Sequence, residues 1–89
     1  MICKNLIVIN KLGLHARASA LLSDTALKFQ SSIIMKFKSR TIDTKSILDV
    51  MTMGGVQGSE VEICINGSDE AQAMDTISNL FQNRFNEKE

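Results

Sequence analysis

Residues 60–66, EVEICIN, alternate strictly: Val61, Ile63 and Ile65 fall on one side of an extended chain, and Glu60, Glu62 and Cys64 fall on the other. A strand with one apolar and one polar side belongs to a sheet that is covered on one face only. The remaining segments agree with such a sheet. Residues 2–9 are rich in Ile and Val and read as a strand. SSIIMKFK places Ile33, Met35 and Phe37 on one side of a second strand, and SRTIDT reads as its short return. Three stretches carry helical periodicity instead. From Ala16 onward, Ala18, Leu21, Leu22, Ala26 and Phe29 form one stripe. Residues 46–53 open with Ser46 and place Asp49 three positions on, close to a capping box, and glycines end the segment. The last helix can be capped by Asp69 and carries Ala73, Met74, Ile77, Leu80, Phe81 and Phe85 as its stripe. The order β-α-β-β-α-β-α predicts an α+β fold in two layers, a sheet with helices on one face, in a single domain spanning residues 1–89.

Composition excludes several classes. No apolar run approaches the length of a membrane span. The start, MICKNLIVIN, lacks a basic segment and a small-residue cleavage site, so it reads as a strand, and a cytoplasmic location is expected. Cys3 and Cys64 are too few for a disulfide framework and lack metal-ligand spacing. They are expected to be reduced and to act as two small apolar side chains, with no metal site. The glycines at 54, 55 and 58 fit neither a phosphate-binding loop nor a dinucleotide fingerprint, so no cofactor is expected. Net charge is zero but uneven. Residues 1–45 hold eight Lys or Arg against two Asp; residues 46–89 hold two against eight acidic residues. The basic half favours an anionic ligand or an acidic protein surface, unless two solvated faces simply differ.

The basic half also contains the only histidine, within GLHARASALL. If the helix begins at Ala16, His15 stands at its N-cap. The first turn then offers free backbone N–H groups from Ala16, Arg17 and Ala18 and the positive end of the helix. Arg17 adds a permanent cation whose fork matches phosphate oxygens. An anion site beside an imidazole suits a histidine that accepts a phosphoryl group and gives it away again. The alternative is a solvated surface histidine. No second histidine supports a metal site or a relay, and Ser19 shows no sign of a catalytic triad.

NKLGLHARAS resembles the phosphorylation-site signature of the HPr family, the histidine-containing phosphocarriers of the bacterial phosphoenolpyruvate-dependent phosphotransferase system. TKSILDVMTM followed by GGVQGSEVEI resembles the family's second signature, around its regulatory serine. The resemblance extends over essentially the whole chain. It implies an open-faced β-sandwich, a four-stranded antiparallel sheet covered on one face by three helices. It implies that enzyme I donates a phosphoryl group to Nδ1 of His15, and that His15 passes it to the A domains of sugar permeases. Arg17 matches the family's active-site arginine. Ser46 matches the serine modified by an HPr kinase/phosphorylase in some bacteria, although by position it can equally be a plain N-cap. Ile47, Leu48 and Met51 share one face of the short helix; packing is one reading, and the resemblance implies a docking patch, with Val50 and Met53 left to supply the core. One departure is Ala18, where the family most often has proline; alanine suits a first helical turn and restores an N–H.

Two other readings compete. A nitrogen-branch phosphocarrier would use the same His15 chemistry but pass phosphate to a regulatory protein. An RNA-binding α+β domain is suggested by KFKSR at 36–40, but a stacking platform needs exposed aromatic residues. The chain has four Phe, no Tyr and no Trp, and three of the four lie on expected core stripes. A monomer is expected, with no nucleic-acid partner and no membrane insertion.

Overall fold

The computed structural model describes residues 1–89. Its elements are β1 (Ile2–Ile7), α1 (Ala16–Ala26), β2 (Ser32–Phe37), β3 (Arg40–Asp43), α2 (Ile47–Thr52), β4 (Glu60–Asn66) and α3 (Glu70–Gln82), followed by a tight turn at Arg84–Asn86. The strands form one sheet in the order β1-β4-β2-β3, and every neighbouring pair is antiparallel. The strand read from its alternation is therefore a central one. Its apolar side meets apolar partners in register: Val61 opposite Leu6, Ile63 opposite Met35 and Ile65 opposite Ile33. These residues are buried, and the helices close over them with Ala18, Leu22, Ala26, Val50, Ala73, Ile77 and Phe81 in one continuous core. No helix is long and apolar enough to cross a membrane.

Four expectations are corrected. Phe29 lies past the end of α1 and is only partly buried, because the helix stops at Ala26. Phe85 is buried but is not helical: α3 ends at Gln82, and Phe85 reaches the core from the following turn, its ring 4.9 Å from that of Phe81. Asp69 occupies the N-cap position of α3 without a side-chain capping bond. Its carboxylate accepts instead from the backbone N–H groups of Gln30 and Ser31 and from the Ser31 hydroxyl, tying the α1–β2 loop to α3. The Ser31 hydroxyl, and then the Gln30 N–H, hold the Asp69 carboxyl below its ordinary pKa.

The cysteines give the fourth correction. They are not separate apolar side chains: β1 and β4 place Cys3 directly opposite Cys64, with Cα atoms 4.1 Å apart, and the two form a disulfide. Cys64 lies on the polar side of its strand yet is buried, since Cys3 covers it on one side and Ile34 neighbours it on the other. The Glu62 carboxylate lies within 4.8 Å of both sulfurs, but sulfurs bonded to each other are not thiolate ligands.

Candidate functional site

His15 is the N-cap of α1, in an extended backbone conformation with φ −73° and ψ −178°. The preceding turn sets its place. Gly13 adopts φ +67°, a left-handed conformation, and the backbone N–H of Leu14 donates to the Gly55 carbonyl at 2.8 Å. The loop carrying His15 is thereby pinned to the glycine loop that follows α2. A Cβ on Gly13 would sit 2.5 Å from the Gly55 oxygen, a backbone atom with little freedom to retreat. Gly13→Ala is expected to cost about 1–2 kcal/mol from the left-handed strain, with the Gly55 clash adding to it, and to lower the melting temperature by on the order of 10 °C for a domain of this size. Thermal unfolding followed by circular dichroism checks this.

The imidazole is held at both nitrogens. The backbone N–H of Arg17 donates to Nδ1 at 3.3 Å. Nε2 contacts Oε2 of Glu87, 72 residues away. The Arg17 guanidinium donates to the same carboxylate oxygen at 3.1 Å and to the Phe85 carbonyl at 3.4 Å. The other carboxylate oxygen, Oε1, accepts from the Asn10 side-chain amide at 2.9 Å, and that amide also donates to the Gly13 carbonyl at 2.8 Å. His15 and Glu87 keep 28% and 12% of their side-chain surface exposed, so the imidazole is reachable while the carboxylate is nearly enclosed. The Asn10 amide, assisted by His15 and Arg17 and opposed by partial burial, holds the Glu87 carboxyl below its ordinary pKa of 4.5. A depressed carboxyl pKa contributes stability above the ordinary value and loses it as pH falls through the lowered one. The tail contact is therefore intact at neutral pH and opens only in acid.

Glu87 carries no signal in the sequence, and its position decides against the alternative in which two solvated faces simply differ. The acidic C-terminal segment folds onto the basic loop, so that Lys11, Leu12, His15, Arg17, Glu87, Lys88 and Glu89 line one open pocket of about 540 Å³. Local backbone strain delivers the carboxylate. Arg84, Phe85 and Asn86 all have positive φ, at 57°, 54° and 63°. Left-handed conformations cost non-glycine residues roughly 1–2 kcal/mol each, offset here by the burial of Phe85 and by the contacts of Glu87.

At the first turn of α1, beside this pocket, Ala16 and Arg17 are exposed and Ala18 is buried; the Arg17 N–H, expected to be free, is engaged by Nδ1 of His15. Ser19 is spent on structure, its hydroxyl donating to the Leu14 carbonyl at 2.9 Å. On α2, Ile47, Leu48 and Met51 are 39%, 69% and 40% exposed, whereas Val50 and Met53 are buried in the core. Core packing does not account for the first three. Ser46 is the N-cap of α2, its Oγ accepting from the Asp49 N–H at 3.3 Å.

The family described as "PTS HPr component phosphorylation site" matches residues 2–83. The chain belongs to the HPr family. It is 49% identical over 87 residues to the phosphocarrier protein HPr of Xylella fastidiosa (strain 9a5c), with 98% of each chain covered. It is 45% identical over 89 residues to the phosphocarrier protein HPr of Cupriavidus necator, with both chains covered completely. Among solved structures, the crystal structure of HPr-C-His from Thermoanaerobacter tengcongensis superposes with a TM-score of 0.96 at 35% identity over the full length of both chains. The open-faced sandwich is thus the fold of the family, and a phosphocarrier role in the phosphotransferase system is consistent with that membership.

Proposed function

We propose that this HPr-family chain carries a phosphoryl group on Nδ1 of His15, taking it from phosphorylated enzyme I and passing it to the A domains of sugar permeases. The observation that carries the reading is the N-cap imidazole with Arg17 at its side. Transfer begins when the Nδ1 lone pair attacks phosphorus and the donor's bond to phosphorus breaks, its electron pair returning to the donor. The product is a phosphoramidate, and its charge lies against the first-turn N–H groups of α1 and against Arg17. Helix-end stabilisation of an anion is worth only about 0.3–1 kcal/mol, up to about 2 in good geometry. A carrier benefits from that modest hold, because it must release the group again. Guanidinium donors not engaged by Glu87 and Phe85 remain available to the phosphoryl oxygens.

The sugar branch is favoured over the nitrogen branch by the Ser46 motif, which supplies a site for an ATP-dependent kinase. The reading sets the protein in the cytoplasm with its partners, where glutathione and thioredoxin would act on the Cys3–Cys64 disulfide. Incubation with enzyme I and labelled phosphoenolpyruvate, followed by peptide mapping, tests the proposal. One acid-labile, base-stable label per chain is expected, on His15. Label elsewhere, or none, overturns it.

Docking uses the exposed Ile47–Leu48–Met51 face, and an apolar face with a methionine can adapt to more than one partner. Met51→Glu is expected to weaken enzyme I binding by roughly 2 kcal/mol, about 30-fold, because a charge must be desolvated on contact. Stability should change by no more than about 0.5 kcal/mol, as at other exposed positions. Titration calorimetry beside thermal melting checks both.

A further inference from the structure

Phosphotransfer through His15 leaves one group of the pocket without a role: the Glu87 carboxylate, four residues past the span matched to the family. We propose that Glu87 is a positioning residue for His15, accepting the Nε2–H of the imidazole so that Nδ1 keeps its lone pair, and balancing the charge the ring gains as it takes up the phosphoryl group. The inference rests on the phosphotransfer reading and adds to it the reason one ring nitrogen is the nucleophile.

Two independent contacts assign the same tautomer. An ionised carboxylate only accepts hydrogen bonds, so Nε2 must carry the proton it meets. A backbone N–H only donates, so the Nδ1 it faces must hold a lone pair. The nitrogen that holds the lone pair is therefore Nδ1, turned toward the first turn of α1; on attack it gives up the long 3.3 Å bond from the Arg17 N–H, which is then released to the phosphoryl oxygens. As Nδ1 forms its bond to phosphorus, the Nε2 proton stays on the ring and the ring becomes cationic. The carboxylate opposite Nε2 then faces a positive charge that the resting state lacks. An interaction that strengthens along the reaction lowers its barrier.

Glu87 is built to stay there. Oε1 is held by Asn10, Oε2 by Arg17 and His15, so the carboxylate is fixed at both oxygens. The left-handed turn at 84–86 aims it, and the buried Phe85 anchors that turn to α3. A tail that merely rested on the surface would not need three strained residues to reach this point.

The test uses the full chain with 15N-labelled histidine. Long-range proton–nitrogen correlation spectra report which ring nitrogen is protonated, at a pH where the ring is neutral. Transfer rates from phosphorylated enzyme I are measured on the same samples. Glu87→Ala is expected to shift the nitrogen signals toward a mixture of tautomers and to slow transfer about tenfold, as loss of one charged hydrogen bond would. Glu87→Gln, whose carbonyl still accepts from Nε2, should restore the tautomer signature and recover only part of the rate. Asp75→Ala, which removes an exposed carboxylate on α3 that does not line this pocket, should alter neither. Wild-type nitrogen signals and wild-type rates in Glu87→Ala overturn the proposal. So does slowing in Glu87→Ala and Glu87→Gln alike that follows a loss of melting temperature with the tautomer unchanged. If wild-type protein gains no label on His15, the phosphotransfer reading fails instead, and the nitrogen signals of Glu87→Ala alone decide whether Glu87 sets the tautomer.

Discussion

His15→Ala loses all acid-labile label from phosphoenolpyruvate and enzyme I while remaining folded. The loss is complete because no other side chain can substitute. The chain has one histidine. The nearest hydroxyl along α1, Ser19, is buried and donates to the Leu14 carbonyl. The fold survives because His15 contributes little to it. Its capping bond from the Arg17 N–H is long, at 3.3 Å, and losing an N-cap costs about 0.5–2 kcal/mol. Glu87 keeps two of its partners, Asn10 and Arg17, so the tail does not lose its anchor. A fall in melting temperature of a few degrees, up to on the order of 10 °C, is the expected stability cost. Autoradiography of the reaction with circular dichroism on the same sample reads both effects. Stoichiometric labelling of His15→Ala would show that the acceptor lies elsewhere.

What was legible in the sequence was local. The start of α1 at Ala16, the caps His15 and Ser46, and the strand 60–66 follow from periodicity and capping chemistry within a few residues of each site. On α2 the local pattern put Ile47, Leu48 and Met51 on one face but left core packing open, and the docking patch came from the family resemblance; in the structure Val50 and the C-cap Met53 take the inward positions and the other three are exposed. What failed depended on distant partners. Cys3 and Cys64 are 61 positions apart, and only the antiparallel register of β1 on β4 shows that they meet. Asp69 had the right residue type for a cap, yet the loop at Gln30 and Ser31 won its carboxylate. Glu87 was hidden twice. It lies 72 residues from His15, and the turn that aims it uses left-handed conformations that Arg84 and Phe85 do not advertise. The basic charge of the first half pointed to an anion; the resting structure supplies one from its own C-terminal segment.

Phosphate on Ser46, or its partial mimic Ser46→Asp, is expected to block docking without unfolding the chain. The Ser46 side chain is a half-exposed N-cap, and aspartate caps about as well as serine, so α2 should be retained and stability should change by less than about 0.5 kcal/mol. The surface changes much more. Phosphate brings about −1.5 to −2 units of charge to the edge of the Ile47–Leu48–Met51 face. Asp43 and Asp49 stand three residues away on either side and are exposed. Lys45, the adjacent cation, donates from its ammonium to the Phe29 carbonyl at 2.9 Å, so meeting the phosphate directly would break that bond or share the ammonium. A partner that covers this apolar face must desolvate the new charge or stand off from it. A penalty of about 2–3 kcal/mol lowers association roughly 30- to 150-fold, and the single charge of aspartate should give a smaller loss, on the order of tenfold. The transfer step at His15 is itself untouched, so saturating enzyme I should recover much of the rate. Initial rates of His15 labelling against enzyme I concentration separate the two cases, with Ser46→Ala as the control. An unchanged apparent affinity in Ser46→Asp refutes the docking penalty, and a loss that saturating enzyme I does not relieve places the effect on the chemistry of His15 instead.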